Sequence, residues 1–315
     1  MIVPEDDFFH DREDPMWGDW DRTGWFNESG WFGYAIPERD ISGLFYVHHR
    51  TNYNVMWAGT ALWDATGHRR QNSLHQDWRL WPRPEGANVF DFVLPNSLTF
   101  TTIDPMQKYG FSFSSKDFEA DLTWTAFTEP QDDRGIPKEW AQWCPKHYEQ
   151  FGKMKGTIKI EGELLEVDCY SARDRSFGPH RMTEMGRGNF PWAIASEQHG
   201  FFAYIVSDLD PATDPMFETS ERVRGGWYLR DGEIATLVDG QRRVKRADNT
   251  RPLYEIIDAV DDRGREFHAE GEVRNSLFFD GFPDNWWYWG AVNWTINGEP
   301  AIGETQDNAP REMWS

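Results

Sequence analysis

The run Asp121-Leu122-Thr123-Trp124-Thr125-Ala126-Phe127 places Leu122, Trp124 and Ala126 at every second position, with Asp121, Thr123 and Thr125 between them. Successive side chains of a strand point to opposite faces, so this alternation is that of a half-buried β-strand. Working outward, β-rich runs of similar length recur at residues 43–49, 55–63, 97–103, 118–127, 157–170, 201–207, 223–229, 254–260 and 286–296. Turn signals separate them: Asp64-Ala65-Thr66-Gly67, Glu161-Gly162, Gly225-Gly226, Asp231-Gly232, Asp239-Gly240, Arg263-Gly264, Asp280-Gly281 and Asn297-Gly298. Two-residue loops containing Gly suit hairpins, whose primed turns require positive φ. Many short strands with frequent turns predict an all-β chain of barrels or sandwiches. The strand–helix alternation of a parallel α/β fold is missing.

A chain of 315 residues is long enough for two domains or one large β unit. Residues 137–154, with Glu139-Trp140-Ala141-Gln142-Trp143 and His147-Tyr148-Glu149-Gln150-Phe151, stand out as non-β and predict a short helical connection. Domains are therefore expected at 1–153 and 154–315. The acidic first 15 residues and residues 306–315 are expected to lie loosely on the surface.

Charge narrows the function. The chain carries 32 Lys and Arg against 53 Asp and Glu, a net −21. Phosphate backbones and anionic membrane surfaces are bound by basic faces, so neither nucleic acid nor a membrane surface is an expected partner. No stretch approaches the roughly 18 apolar residues of a membrane span. The segment Met1-Ile2-Val3-Pro4-Glu5-Asp6-Asp7 lacks the features of a signal peptide, and a cytoplasmic location is expected. Aromatic residues make up 16% of the chain, with 18 Trp, 22 Phe and 10 Tyr. That total excludes disorder and suits a wide apolar core or a pocket for an extended apolar ligand. The two cysteines, Cys144 and Cys169, make neither a disulfide framework nor a thiolate metal site and read as buried thiols.

Dinucleotide, P-loop, nucleophile-elbow and HExxH motifs are all missing. His48 and His49 are adjacent, so on a strand they face opposite ways and do not share a metal; no metal site is expected. The densest polar cluster is Arg173-Asp174-Arg175-Ser176-Phe177-Gly178-Pro179-His180-Arg181. On a strand Asp174 and Ser176 share one face, and Arg173 and Arg175 the other. Gly178-Pro179 is expected to force a turn. Asp174 is expected to pair with at least one arginine or to accept backbone N–H groups from the turn that follows it. Burial raises its carboxyl pKa and Arg lowers it, and the winner decides whether Asp174 can act as a general acid.

This cluster resembles the Arg-Asp-His-Ser-Trp-Gly-x-Arg signature of the carotenoid 1,2-hydratase/AttH-like superfamily. His147-Tyr148-Glu149-Gln150-Phe151-Gly152, Gly156, Gly162 and Asp168 precede it similarly. Asn27-Glu28-Ser29-Gly30-Trp31-Phe32 and Trp289-Gly290-Ala291-Val292-Asn293-Trp294, then Asn297-Gly298 and Gly303-Glu304, extend the similarity over most of the chain. The resemblance implies two lipocalin-like β-barrel or β-sandwich domains. It also implies cofactor-free enzymes acting on apolar molecules: hydratases of isoprenoid double bonds or prenylated phenolics, and pericyclic cyclases. Arg175 and Phe177 stand where the signature has His and Trp, whereas Asp174 and Arg181 are kept. Tyr204 and Asp208 lie near the positions of the hydratases' Tyr and acidic residue.

The expected function is a hydratase, dehydratase, isomerase or cyclase working by acid catalysis in an aromatic pocket. The substrate would be a terpenoid, polyene, steroid or aromatic molecule. Asp174 or Asp208 would be the acid and His180 or Tyr204 its partner. Arg175, Phe177, Trp287 and Trp289 would hold the substrate, since aromatic faces stabilise a developing cation. The alternative is a lipocalin-like carrier, which needs no acid. An open cavity lined only by apolar groups would favour the carrier.

Overall fold

The computed structural model describes residues 2–132, 146–180, 187–211, 219–247, 250–280 and 285–310. In chain order the first strands are β1 (Trp25–Ile36), β2 (Ile41–Arg50), β3 (Val55–Trp63), β4 (His75–Pro82), β5 (Phe92–Val93) and β6 (Thr99–Asp104). They are followed by β7 (Lys108–Ser114), β8 (Phe118–Ala126), β9 (Gln131–Asp132), β10 (Lys146–Ile160) and β11 (Glu163–His180). These make one antiparallel sheet in the order β4-β3-β2-β1-β11-β10-β8-β7-β6-β5, with β9 paired to β10. Its apolar face is an aromatic core in which Phe32 meets Phe90, Tyr109, Phe111 and Trp124 at ring-centroid distances of 4.6–5.8 Å.

The later strands are β12 (Gly188–Asn189), β13 (Trp192–Ser196), β14 (His199–Pro211), β15 (Thr219–Arg230) and β16 (Glu233–Arg246). Then come β17 (Pro252–Asp261), β18 (Glu266–Val273), β19 (Leu277–Phe279), β20 (Asn285–Ile296) and β21 (Glu299–Pro310). β21 pairs with both β20 and β13, so β13-β14-β15-β16-β17-β18-β20-β21 closes into a barrel. Phe201, Tyr228, Phe267, Trp294 and Ile296 fill it with aliphatic neighbours. The all-β expectation thus holds, as two lipocalin-like β units.

Local chemistry explains the turns. Glu161-Gly162, Asp231-Gly232 and Asn297-Gly298 all carry positive φ at both residues, as primed hairpin turns need. Gly225-Gly226 and Asp239-Gly240 are not turns. They lie inside β15 and β16 where the register shifts, and a Cβ on Gly226 would meet the Phe202 carbonyl at 2.2 Å. Gly178-Pro179 is also no turn: Gly178 takes φ 114 and β11 runs on, pairing Pro179 with Phe26.

Two expectations about organisation need correction. Residues 146–154 of the supposed helical connection are strand, and residues 137–145, with Cys144, lie outside the described residues. Tyr148, Glu149, Gln150 and Phe151 are all buried, so this part of β10 is covered on both faces and shows no polar alternation. Accordingly the boundary at 153 falls inside β10. The first unit closes after β11, and Asp64–Asn72 belongs to the second, where the Phe278 N–H donates to the His68 carbonyl at 2.8 Å. Nor are Asp7, which is buried, and residues 306–310, which belong to β21 with Asp307 buried, loose on the surface; residues 311–315 lie outside the described residues. No described helix is long and apolar enough to cross a membrane.

Candidate active site

Strand alternation splits the central cluster as its sequence requires. Arg173, Arg175 and Phe177 sit buried on the apolar face of the first sheet, while Asp174 and Ser176 point to the other. On the apolar face every charge is answered. Asp7, at the end of the 3-10 turn Pro4–Asp7, accepts from the Met106 N–H at 2.6 Å, the Tyr109 and Tyr148 hydroxyls, and Arg173 Nη1 at 3.1 Å. Burial alone would raise the Asp7 carboxyl pKa, but the Arg173 guanidinium and the two hydroxyls hold it below the usual range. Arg173 also donates from Nε to Gln150 at 2.8 Å and lies over the rings of Tyr109, Tyr148 and Trp124. Arg175 pairs with Glu28 and donates to the carbonyls of Asp6 and Phe8. Phe177 stacks on His10 at 4.0 Å. In this chain Arg175 and Phe177 therefore anchor residues 6–10 to the sheet.

The opposite face carries the groups with chemistry left to do. Cross-strand register sets Asp174 opposite Glu149 on β10 and Trp31 on β1, and Ser176 opposite His147 and Ser29. One strand further, His48 lies opposite Ser29 and Arg50 opposite Asn27. Directly opposed residues of an antiparallel pair share a face, so these side chains form one polar row. His147 Nε2 lies 3.0 Å from Glu149 Oε1, and its Nδ1 lies 2.7 Å from Ser176 Oγ. An ionised carboxylate only accepts, which puts the proton on Nε2 and leaves Nδ1 to accept from the Ser176 hydroxyl. Asp174 Oδ1 accepts the Trp31 N–H at 3.1 Å, and among the described residues no arginine forms an ion pair with it.

Burial wins the contest at Asp174: it pushes the carboxyl up to about 6, against the pull of His147 whenever that ring is protonated and of the Trp31 N–H. Asp174 is therefore a carboxyl that holds or gives a proton near neutrality. Aromatic side chains flank the row: Tyr46 lies 4.2 Å and Trp78 6.0 Å from His48, and Trp25 meets Trp57 edge-on at 6.4 Å.

This raised carboxyl makes a pH prediction. The folded chain keeps a proton on Asp174 up to about pH 6, whereas the unfolded chain loses it near 3.8. The resulting stabilisation is present at low pH and disappears as pH rises through the folded value. Relative to Asp174→Asn, the wild type should lose up to about 3 kcal/mol between about pH 4 and pH 7. Paired thermal melts across that range check it; parallel pH profiles would contradict it.

In the second unit the structure brings Tyr204, Trp287 and Trp289 together. Phe190 stacks on Trp287 at 5.6 Å and meets Tyr204 edge-on at 5.7 Å. Trp287 and Trp289 lie 6.4 Å apart, and Phe279 stacks on Trp289 at 4.5 Å. Trp286 instead packs on Phe278, as strand alternation requires. The side chains of His180 and Asp208 lie outside the described residues, as does Arg181; their backbones, where described, end β11 and continue β14. Among the described residues no group of three or more His, Cys, Asp and Glu is placed to hold a metal ion.

His147, Glu149, His48, Arg50, Asn27 and Ser29 are residues of the row that the sequence reading did not assign to the site. Their signal is two unbroken polar runs inside β1 and β2, Asn27-Glu28-Ser29 and His48-His49-Arg50, in which the two-residue repeat sets Asn27 with Ser29 and His48 with Arg50 on one face.

Comparison with known proteins agrees with this frame. The structure is similar to an AttH-like protein of Nitrosomonas europaea, with 13% identity, a TM-score of 0.63, and 91% of this chain and 93% of that chain covered. It is similar to kievitone hydratase from Nectria haematococca, with 13% identity, a TM-score of 0.55 and coverages of 90% and 89%. It also resembles CghA solved with Sch210972, at 10% identity, a TM-score of 0.55 and coverages of 90% and 88%. The likeness implied by the Arg173–Arg181 cluster is thus met at the level of the fold. No curated protein matches the sequence. A family model described as a domain of unknown function, DUF7064, matches residues 11–310.

Proposed function

The chain belongs to the DUF7064 family, and on the frame it shares with AttH-like proteins we propose that it is a cofactor-independent hydratase or isomerase of an apolar small molecule. The observation that carries this reading is Asp174: a partly accessible carboxyl pushed up to about 6, beside an imidazole–hydroxyl pair on a tryptophan-flanked face. Asp174 delivers its proton to an alkene carbon, and the π electrons form the new C–H bond, leaving a cation. Tryptophan and tyrosine faces stabilise that charge. Water adds to the cation, and its surplus proton passes through Ser176 to His147, whose Nε2–H is held by Glu149, before Asp174 is reprotonated. In an isomerase the cation loses a different proton to the same base. Kievitone hydratase is the neighbour whose name states such chemistry.

Binding without turnover is the second reading. It is favoured by Arg175, which fills the position of the signature His with a guanidinium already neutralised by Glu28. Incubating the purified protein with fractionated apolar metabolites in H2(18)O and in D2O separates the two. A hydratase gives an 18O-labelled alcohol and an isomerase gives carbon-bound deuterium. A ligand that is retained but never labelled in either solvent supports the carrier and overturns the enzyme.

A further inference from the structure

Arg50 is the anomaly of the polar row. Its side chain is 97% buried, its relative exposure being 3%. Nη1 donates to Asn27 Oδ1, and the guanidinium lies 4.5 Å from the Trp25 ring centre. Nε and Nη2 have no partner, and among the described residues no carboxylate forms an ion pair with it. Contrast Arg173 and Arg175 on the other face, each matched to a buried acid. Leaving buried donors of a charged group unmade costs more than the bond itself contributes, so such a group implies a missing acceptor. Burial holds this guanidinium down to about 10, as expected for a cation without a counterion. Asn27 is itself fixed, donating from Nδ2 to Ser29 Oγ at 2.8 Å, so the open side of the Arg50 fork is held in place.

We infer that Arg50, with Asn27 and the Trp25–Trp57 pair, forms an oxyanion-binding subsite, and that the ligand of this face is an extended apolar molecule bearing a carboxylate, phenolate or enolate oxygen. Nε and Nη2 present the two parallel donors that such an oxygen pair accepts. Asp174 lies four residues along β1 from the Arg50 register and two strands across. Strand geometry puts their backbones on the order of 15 Å apart. One molecule therefore reaches both only if its reacting carbon and its oxyanion sit at opposite ends of a rigid ring system or chain. This deepens the proposed function and rests on it for the role of Asp174, but the subsite itself is a matter of binding.

The test uses the full chain with 2-naphthoate and its neutral counterpart 2-naphthalenemethanol as probes, read by calorimetric titration and by thermal shift. The wild type should bind naphthoate more tightly than the alcohol. Arg50→Met should lose roughly 10- to 100-fold in naphthoate affinity with little change for the alcohol. Without ligand, Arg50→Met should melt no lower than the wild type, because it removes a buried charge that nothing compensates. Arg50→Lys keeps the charge without the fork and should fall between. Equal naphthoate affinity in wild type and Arg50→Met overturns the inference. So does a wild type that prefers the alcohol, or a crystal structure with naphthoate in which only water meets Nε and Nη2. Naphthoate binding that survives in Asp174→Asn, combined with full turnover in that variant, would sink the catalytic reading and leave the subsite standing.

Discussion

Asp174→Asn is expected to lower turnover roughly 10²–10⁴-fold, the usual worth of a positioned general acid, while the fold and ligand affinity are kept. Asparagine keeps the oxygen that accepts the Trp31 N–H at 3.1 Å, so the strand register has no reason to change. What disappears is the transferable proton. Because the acid works in its protonated form, wild-type turnover should decline as pH rises through about 6, the value to which burial has pushed this carboxyl. The residual rate of Asp174→Asn should show no such decline. Single-turnover measurements on the substrate found by isotope labelling decide the matter. A variant with full rate and the same pH profile removes Asp174 from the chemistry.

The second large effect concerns stability. In the barrel, Arg242 is fully buried, paired with Glu221, with Glu255 at 2.8 Å and with Asp307 at 3.4 Å. Arg246 joins Glu221 at 3.1 Å and also pairs with Asp307. Thr305 donates to Glu255 at 2.7 Å, and Asn189 to Thr305 at 2.7 Å. Burial alone would raise the Asp307 carboxyl pKa, but the Arg246 and Arg242 guanidinium groups hold it down at about 2, so Asp307 stays ionised inside the barrel. Arg242→Ala takes from Glu255 the guanidinium it pairs with and leaves Glu221 and Asp307 to Arg246 and, 3.9 Å from Glu221, Arg187. Breaking a buried pair in this way costs roughly 3–5 kcal/mol, and more where several acids lose their partner. For a unit of this size that is a fall on the order of 10 °C in Tm, measured by scanning calorimetry. A shift of only a degree or two would mean that water or a proton relieves the acids. Arg242→Met adds apolar volume but does not restore the charge, and should be nearly as damaging.

What the sequence made legible follows from burial. Leu122, Trp124 and Ala126 alternate because β8 is wet on one side, and β8 reads as a strand at once. The first part of β10 does not, because residues 148–151 are covered on both faces and a doubly buried strand loses its period. The same concealment hid the polar row. The split of Arg173 and Arg175 from Asp174 and Ser176 needs only the two-residue repeat, and it was read correctly. Whether Asp174 meets an arginine depends on the residues facing it, and long-range register supplies His147 and Trp31 instead. Asp7 shows the limit from the other side. An acidic segment reads as solvated until the arginine that receives it, far along the chain, is known.

The pairing of β1 with β11 joins residues 25–32 to residues 173–180. During synthesis β1 acquires β2 at once but waits for β11 until nearly half the chain has followed. At 5–20 residues per second that delay is on the order of 10 s. For that interval one edge of β1 is an open hydrogen-bonding template, and Phe32 has neither Tyr109 nor Trp124 to rest on until β7 and β8 arrive. Non-local strand pairing of this kind makes folding slow and leaves association between nascent chains as the competing outcome. A fragment ended at residue 153 would make the delay permanent: it would contain β1 without the strand that closes it.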